Sequence, residues 1–440
     1  MNKYAGLAVL LLIGFLTLRG AAQNAAFDVT AYDAEIRPEL TSRSVRGKVA
    51  VAFRALTENP AEITLNAGAL EIERVGSGGD ELAFEKSGAL LKIRLARPLR
   101  KNAELTVTIS YHGKPKYGVE FFPEKNQAYT IFSTSQWMPC VDAPDDRAVF
   151  RLTLIRPKNV TAAANGRLLG ETALADGTVA SRWEESNPVP TYLFGFAFGE
   201  FKDLRQRRGA VTLRYLADKS FSDDELLAIF RETGGMLDFY ENKAGVRYPS
   251  KTYTQILAAG DAEQEMSGFT ALNEDYGREV LKDEKALWLG AHEFAHQWWG
   301  NMVTNRDWTH FWLNEGLANF MTAAFFEHRF GRAAYLSEID RYRQSYEKLR
   351  AAGRDKSLVF PDWNKPTRDD RHLVYDKGAY VAHLLREELG EEIFWRGFRE
   401  YTRKNWGKSV ETADFQRAME KAAGRGLADF FDRWVYLKKS

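Results

Sequence analysis

The sequence predicts an α+β protein of two domains, in which an antiparallel β domain is followed by a mainly helical domain. Apolar and polar residues alternate through most of residues 27–202, which is the period of a half-buried strand. After about residue 208 the apolar residues recur at helical spacing instead. We therefore predict a β domain over residues 24–207 and a helical domain over residues 208–440. No linker marks the boundary sharply, and it falls within residues 200–212.

The N-terminal residues have the pattern of a secretory signal peptide. Lys3 precedes an apolar run over residues 5–18, and small residues follow at positions 20–22. The run is shorter than the roughly 18 to 20 residues that a membrane span needs, so a cleaved signal is favoured over an uncleaved signal anchor. We predict a signal peptide over residues 1–23, export to the periplasm or the cell exterior, and no stable membrane insertion after its removal.

The predicted β domain contains several segments with regular alternation. In LTVTISYHG, residues Leu105, Val107 and Ile109 alternate with threonines and a serine, and KVAVAFRAL and FRLTLIRP have the same pattern. Turn-rich pieces such as SGGDE and NGRLLG separate these segments. Such a pattern is typical of many antiparallel strands joined by turns.

The predicted helical domain opens with Ser222, followed three residues later by Glu225, which is a capping-box pattern. Further segments with helical spacing are KALWLGAHEFAHQWWG, LNEGLANFMTAAFFEHRFG, YDKGAYVAHLLREELG and TADFQRAMEKAAGRGLADFFDRWVY. Between the first helices, TYTQILAA and GFTALNE have the composition of short strands. This favours an α+β domain over an all-α bundle.

The composition excludes some classes of function. Lys and Arg together number 61 against 60 Asp and Glu, and no basic stripe stands out, so no nucleic-acid partner is expected. Cys140 is the single cysteine, which rules out a disulfide within the chain.

The strongest motif is HEFAHQWWG, which begins at His292. On a helix, His292 and His296 lie one turn apart on the same face, where two imidazoles can hold one zinc ion. Glu293 projects beside that point, which is the position of a base that acts on water at the metal. The alternative is an aromatic core helix that carries these polar residues by chance.

A hydrolytic zinc site needs a third protein ligand and an open fourth position. Glu315 follows His296 after a gap of eighteen residues, at the start of the next helical pattern, and its alternative is a solvated helix carboxylate. One turn further along, Asn319 either orients a ligand or is a surface polar residue.

The extended motif HEFAHQWWGNMVTNRDWTHFWLNEG resembles the zinc aminopeptidases of the aminopeptidase N and leukotriene hydrolase family. Two further segments are similar to that family: SQWMPCVDAPDDRAVFRLTLIRPKNVTAAANG to its β domain, and LVYDKGAYVAHLL to its tyrosine-bearing segment. The resemblance runs from about residue 27 to the C-terminus. It implies a thermolysin-like zinc peptidase domain after the β domain.

The resemblance also implies roles for individual residues. It implies one zinc ion per chain, held by His292, His296 and Glu315, with Glu293 as the general base. Tyr375, in VYDKG, corresponds to the family tyrosine that donates a hydrogen bond to the tetrahedral oxyanion. The alternative for Tyr375 is an ordinary half-buried core tyrosine.

The sequence departs from the family in two binding segments. Where the family has glycine-x-methionine-glutamate-asparagine, this chain has AEQEMSGFTALNE. With Gly268 in register with the family glycine, Glu265 is the amine-binding glutamate, Glu263 competes with it, and Glu274 lies further off. Gln136, just before WMPC, is the candidate for the family's substrate-contacting glutamine, although it lies closer to WMPC than the family spacing.

A third departure concerns the end of the chain. It stops after LADFFDRWVYLKKS, where relatives continue into a helical domain, so we expect a short form with a more open cleft. The resemblance implies an exported zinc aminopeptidase that acts on peptides with a free N-terminus. The alternatives are a zinc endopeptidase or an epoxide hydrolase on the same scaffold, and a non-catalytic peptide-binding relative.

Overall fold

A computed structural model describes residues 26–360, 363 and 366–438. The predicted signal peptide, residues 1–23, lies outside these residues. Within them, none of the helices combines the length and the apolar character that a membrane crossing requires. Strands dominate up to residue 218 and helices dominate after it, which confirms the predicted order of the two domains.

The N-terminal domain consists of strands and short 3₁₀ turns. Its strands are β1 (Phe27–Glu39), β2 (Ser44–Ala55), β3 (Glu62–Asn66), β4 (Glu71–Ser77), β5 (Asp80–Glu81), β6 (Phe84–Ser87), β7 (Leu90–Arg94), β8 (Glu104–Gly113), β9 (Val119–Phe122), β10 (Gln127–Thr130), β11 (Arg147–Pro157), β12 (Thr161–Ala164), β13 (Arg167–Ala173), β14 (Thr178–Pro190) and β15 (Phe196–Gly199). The 3₁₀ turns are Pro123–Lys125, Thr134–Gln136 and Thr191–Leu193. The largest sheet has eight strands in the order β13-β14-β11-β1-β2-β8-β4-β5, and two smaller sheets have the orders β12-β15-β10-β9 and β3-β7-β6.

The ladder between β2 and β8 accounts for the alternation in the sequence. Val49 pairs with Ile109 and Val51 with Val107 in antiparallel register, and all four side chains are fully buried. One pairing differs from the expectation of antiparallel strands, because β1 and β11 run parallel. Parallel neighbours need a long connection, and here most of the domain lies between the two strands.

The second domain begins with a five-stranded sheet. Its strands are β16 (Phe201–Arg208), β17 (Val211–Asp218), β18 (Thr252–Ala258), β19 (Glu263–Gln264) and β20 (Phe269–Asn273), in the order β16-β17-β18-β20-β19. The two predicted short strands form β18 and β20. Because β16 pairs with β17, this sheet starts at Phe201 rather than at residue 208. We therefore propose residue 200 as the end of the first domain. A separate pair joins β21 (Val303–Asn305) to β22 (Lys408–Val410).

The helices follow the segments with helical spacing. They are α1 (Asp223–Ile229), α2 (Thr233–Ala244), α3 (Glu274–Lys282), α4 (Trp288–Ala295), α5 (Trp312–Phe330), α6 (Arg332–Ala351), α7 (Arg368–His372), α8 (Gly378–Leu389), α9 (Glu391–Lys404), α10 (Thr412–Ala423) and α11 (Ala428–Phe431). A 3₁₀ turn spans Trp308–His310, and π turns span Leu373–Lys377 and Asp432–Tyr436. The predicted capping box is present at α1, where Ser222 and Glu225 exchange hydrogen bonds of 3.1 Å and 2.7 Å.

The aromatic residues of HEFAHQWWG form the core behind α4. Phe294 stacks on Tyr253 of β18 with 3.9 Å between ring centroids. Trp298 and Trp299 are fully buried, and Nε1 of Trp299 donates a hydrogen bond to Oγ1 of Thr402 at 3.0 Å. Apolar packing thus anchors one face of α4. The two histidines lie on a different face.

Candidate metal centre

Two histidines of α4 and its C-terminal cap face the same point. His292 and His296 are buried, and their Nε2 atoms lie 3.0 Å apart. Nδ1 of His296 lies 3.0 Å from the carbonyl oxygen of Trp299. A proton on Nδ1 satisfies that carbonyl, so the Nε2 atom of His296 keeps its lone pair for a metal.

Gly300 completes the turn that follows His296. Its φ is +137°, which lies in the region that favours glycine. A side chain at Gly300 would meet Nδ1 of His296 at 2.7 Å. A glycine is therefore required for the chain to fold back beside this imidazole.

Glu315, in the first turn of α5, brings a carboxylate to the histidine pair. Its Oε2 atom lies 3.3 Å from Nε2 of His292 and 3.3 Å from Nε2 of His296. A tetrahedral zinc ion with bonds of about 2.0–2.1 Å separates its ligand atoms by roughly 3.3 Å, which agrees with this spacing. The three residues therefore fit one zinc ion. In the described part of the chain they are the one group of three or more metal-binding side chains that converge in this way.

Burial and charge act in opposite directions on the pKa values of this cluster. Burial raises the pKa of Glu315, but the facing imidazole of His296 and its neighbour His292 lower it to about 2. Burial lowers the pKa of His296, but the carboxylate of Glu315 raises it to about 10, so a metal ion that binds here displaces a proton from this imidazole. Glu315 is thus ionised at neutral pH, as a carboxylate metal ligand must be.

Asn319 lies one turn beyond Glu315 and is buried, so the surface interpretation of this residue is wrong. Burial lowers the pKa of His292, and the interaction with Asn319 opposes this effect. Nδ1 of His292 and Oδ1 of Asn319 have no other hydrogen-bond partner among the described residues. The amide oxygen of Asn319 therefore offers an acceptor for a proton on Nδ1, which leaves Nε2 of His292 free for a metal.

Glu293 projects beside the cluster. Its side chain is buried, and its Oε2 atom has no hydrogen-bond partner in the described chain. Burial raises the pKa of Glu293 well above its ordinary value, and the nearby charge of Glu265 raises it further. A buried carboxyl group with a raised pKa and a free oxygen is suited to taking up and returning a proton.

Glu265 lies next to the same cluster, immediately after the short strand β19. It is buried, and burial raises its pKa, whereas the charge of His296 lowers it. Glu315 and Glu293 both interact electrostatically with Glu265. A second carboxyl group, besides the base candidate, therefore interacts with the same cluster.

The two competing glutamates have other partners. Glu263 accepts a hydrogen bond from Nδ2 of Asn273 at 2.9 Å, and burial raises its pKa to about 7. Glu274 forms ion pairs with Lys125 at 2.6 Å and Arg278 at 3.3 Å. Of the three candidates, Glu265 is the one whose pKa is lowered by the charge of His296.

Tyr375 lies in the π turn Leu373–Lys377, between α7 and α8. Its ring stacks on the imidazole of His292, with 5.9 Å between centroids and 20° between planes. Burial raises the pKa of Tyr375 well above 10, and the charge of Glu315 raises it further. The hydroxyl group therefore keeps its proton at neutral pH and can donate it in a hydrogen bond.

Two glycines bring the tyrosine segment against the ligand helix. Gly316 follows Glu315 in α5, and Gly378 follows the π turn. A methyl group added at Gly316 would lie 2.8 Å from the Cα atom of Gly378. Only glycines allow this backbone contact, which sets Tyr375 beside the metal ligands.

Gln136, the candidate for substrate contact, lies in the β domain. Gln136 ends the 3₁₀ turn Thr134–Gln136 inside the β domain, where its amide lies so close to Gly68 that a methyl group there would approach Nε2 within 2.5 Å. No hydrogen bond joins Gln136 to the histidines or to Glu315 in the described chain. The contact of Gln136 with substrate therefore stays a prediction.

The structure adds contacts that the sequence analysis missed. The ring of Trp288 stacks on His292, with 4.9 Å between centroids and 14° between planes. Trp288 lies four residues before His292, so helical spacing was a sufficient signal for this contact. Gln297 contacts the turn that carries Glu265, and no sequence pattern indicates that partner.

The chain matches two protein-family models. Residues 230–434 match the Peptidase family M1 domain, and residues 29–193 match the Peptidase M1 N-terminal domain. The matches divide between the helical domain and the β domain, and together they cover most of the chain.

Curated relatives are similar along nearly the whole chain. Aminopeptidase M1-B of Oryza sativa subsp. japonica is 26% identical over 443 residues, which are 92% of this chain and 49% of the relative. Aminopeptidase N of Lactococcus lactis subsp. lactis is 26% identical over 436 residues, which are 90% of this chain and 49% of the relative. The chain thus spans about half the length of the curated relatives it matches.

Solved structures have the same fold. An M1 zinc metallopeptidase from Deinococcus radiodurans matches with a TM-score of 0.79 and 23% identity, over 93% of this chain and 94% of the other. A mutant from Deinococcus radiodurans, bound to a Tyr-Ser-Ala substrate, matches with a TM-score of 0.80 and 22% identity, over 94% and 95% of the two chains.

Proposed function

We propose that this chain, which belongs to peptidase family M1, is a zinc-dependent aminopeptidase that removes N-terminal residues from peptides. The observation that carries the proposal is the arrangement of three buried carboxyl groups around one histidine pair. One of them, Glu315, completes a ligand set, and Glu293 and Glu265 remain available for substrate chemistry. The aminopeptidase names of the relatives and the peptide bound to the Deinococcus radiodurans mutant support this function.

We assign the zinc ion to His292, His296 and Glu315. Zinc bound by them would supply a Lewis acid, which lowers the pKa of a water molecule and polarises the carbonyl group of the peptide bond. Glu293 accepts the proton of that water through its free Oε2 atom and passes it to the leaving amine. Its burial and the raised pKa that burial causes support this role, because such a carboxyl group holds a proton more firmly than a solvated one.

We assign the oxyanion donor to Tyr375. When water adds to the peptide carbonyl, negative charge grows on the carbonyl oxygen, and a hydrogen bond from a fixed hydroxyl group stabilises it. The stacking of Tyr375 on His292 supports this role, since it holds the ring beside a metal ligand. The raised pKa supports it further, because the hydroxyl group remains a donor across the pH range of the enzyme.

We assign recognition of the free α-amine to Glu265. At neutral pH the amine is a cation, and a cation is bound best by a fixed carboxylate that has no other positive partner. Glu265 forms no ion pair with a lysine or arginine of the described residues, and it is buried beside the metal ligands. This carboxylate distinguishes an aminopeptidase from an endopeptidase on the same scaffold.

We also propose that the protein is exported. The support is the pattern over residues 1–23, in which Lys3 precedes a short apolar run and small residues. N-terminal sequencing of the protein recovered from the cell exterior or periplasm tests this proposal. A mature chain that starts close to residue 24 is expected, and a chain that keeps Met1 would contradict cleavage.

One assay tests the proposed function. The purified protein is incubated with a tripeptide that has a free N-terminus and with its N-acetylated form, with and without a chelator, and products are identified by mass spectrometry. We expect release of the first residue from the free peptide, no cleavage of the acetylated peptide, and loss of activity with the chelator that added zinc restores. Cleavage of both peptides at internal bonds would identify an endopeptidase, and no cleavage of either would contradict the proposal.

A further inference from the structure

We call the short turn over residues 265–268 the amine turn. It lies against the end of the HEFAHQWWG motif. Gln297 holds this turn with one amide. Its Oε1 atom accepts a hydrogen bond from the backbone N–H of Gly268 at 3.0 Å, and its Nε2 atom donates to the carbonyl oxygen of Met266 at 3.1 Å. Both contacts are buried. A single side chain therefore fixes two backbone groups of the segment that carries Glu265.

Asn301 holds the first residue of the same turn. Its Nδ2 atom donates a hydrogen bond to the carbonyl oxygen of Glu265 at 2.8 Å. Asn301 is itself fixed from the β domain, because Nη2 of Arg147 donates to its carbonyl oxygen at 3.0 Å and Nη1 of Arg147 donates to Oγ1 of Thr304 at 2.9 Å. The amine turn is thus held by the segment that follows the metal helix, and that segment is held by β11.

The conformation of the amine turn makes these contacts necessary. Gly268 has a φ of +82°, so the chain leaves the strand conformation between β19 and β20. A buried backbone N–H without a strand partner must find another acceptor, and the amide of Gln297 provides it.

We propose that Gln297 and Asn301 are positioning residues for recognition of the α-amine. Gln297 is covalently next to His296, and Asn301 follows four residues later, so both belong to the segment that holds the metal ligand. Their hydrogen bonds to the amine turn fix the distance between the carboxyl group of Glu265 and the metal position. The inference rests on the proposed function, because it requires that Glu265 bind the amine.

The test compares two hydroxamic acids as competitive inhibitors of the zinc-loaded enzyme. Phenylalanine hydroxamate has a free α-amine, and 3-phenylpropionohydroxamic acid lacks it, while both have the same metal-binding group. The ratio of their inhibition constants measures amine recognition separately from metal binding. For the wild-type enzyme we expect the amine compound to bind about tenfold more tightly or better, because a hydrogen-bonded charge pair is formed.

Gln297→Met keeps the length of the side chain and removes both hydrogen bonds. We expect the ratio of inhibition constants to fall about tenfold, with unchanged zinc content and unchanged inhibition by the compound without the amine. Asn301→Ala is a second variant with the same expected direction. Gln255→Met is the matched control, because Gln255 is a buried glutamine whose Oε1 atom accepts a hydrogen bond from Thr233 instead, and its ratio should equal that of the wild type.

The outcomes separate this inference from the proposed function. A wild-type ratio near one would overturn both, since no amine site would exist. A wild-type preference that persists in Gln297→Met and Asn301→Ala would overturn the inference alone. Loss of zinc, or an equal weakening of both inhibitors, would also overturn it, because the two residues would then support the metal site rather than the amine turn.

Discussion

The ligand side and the tyrosine side of the metal centre are held in place by different means. On the ligand side, His292 and His296 lie one turn apart at the end of regular helix α4, and Glu315 lies in the first turn of α5. On the tyrosine side, Tyr375 lies in the π turn Leu373–Lys377. Helical spacing alone aligns the histidines, whereas the π turn departs from regular helix geometry and depends on its surroundings.

The surroundings of the π turn include a buried ion pair. Lys377 is fully buried, and its Nζ atom donates to Oδ1 of Asp355 at 2.7 Å and to the carbonyl oxygen of Lys356 at 2.7 Å. Asp376 accepts hydrogen bonds from Ser345 at 2.5 Å and from His372 at 3.1 Å. The difference teaches that local helix geometry suffices to align the two histidines, while distant side chains determine where Tyr375 lies.

Replacement of the base candidate has the largest expected effect on turnover. Glu293→Gln removes the proton acceptor and leaves the ligand side intact, so we expect kcat to fall about 10³-fold while one zinc ion per chain remains bound. Steady-state kinetics and elemental analysis on the same sample measure the two quantities. Turnover at the wild-type level would remove Glu293 from the mechanism.

Replacement on the tyrosine side tests whether the two sides act separately. Tyr375→Phe removes the proposed oxyanion donor and no proposed metal ligand, so we expect kcat to fall about 10²-fold with little change in KM or in zinc content. Loss of zinc in this variant would show that the ring of Tyr375, through His292, is part of the ligand side, and the comparison between the two sides would fail.

The amine site should affect KM more than kcat. Glu265→Ala removes the carboxylate that we propose to bind the α-amine, so we expect kcat/KM for free-amine substrates to fall about 30-fold, mainly through KM. Glu263→Gln is the control, because the carboxyl group of Glu263 is bonded to Asn273. A larger effect at Glu263 than at Glu265 would reassign the amine site.

The smallest expected effect on turnover comes from the ion pair beneath the tyrosine. Lys377→Met leaves Asp355 without its buried partner, so we expect the free energy of unfolding to fall by about 3 kcal/mol and kcat to fall about tenfold. Lys282→Met is the matched control, because Lys282 pairs with Glu279 at 2.8 Å on the surface and is 70% exposed, and we expect a loss of less than about 1 kcal/mol there. Denaturant unfolding monitored by fluorescence measures both variants. Equal losses would contradict the special role of Lys377.

The same contrast explains how much could be predicted from the sequence. The fold class, the two strands β18 and β20 and the one-turn spacing of the histidines follow from periodicity, because these depend on neighbours within a few residues. Glu315 lies in a separate helix, and its place beside the histidines is predicted from the motif spacing and the family resemblance. The parallel pairing of β1 with β11 and the buried contacts of Asn319 depend on residues far apart in the chain.

The account depends most directly on the zinc site itself. The protein and its His296→Ala variant are purified, equilibrated with zinc and freed of unbound metal, and their zinc content is measured by elemental analysis alongside unfolding to verify that both are folded. We expect one zinc ion per chain in the wild type and almost none in the variant, because one of the three ligands in the cluster is removed. Unchanged zinc in a folded His296→Ala variant would contradict the assignment of the metal to His292, His296 and Glu315.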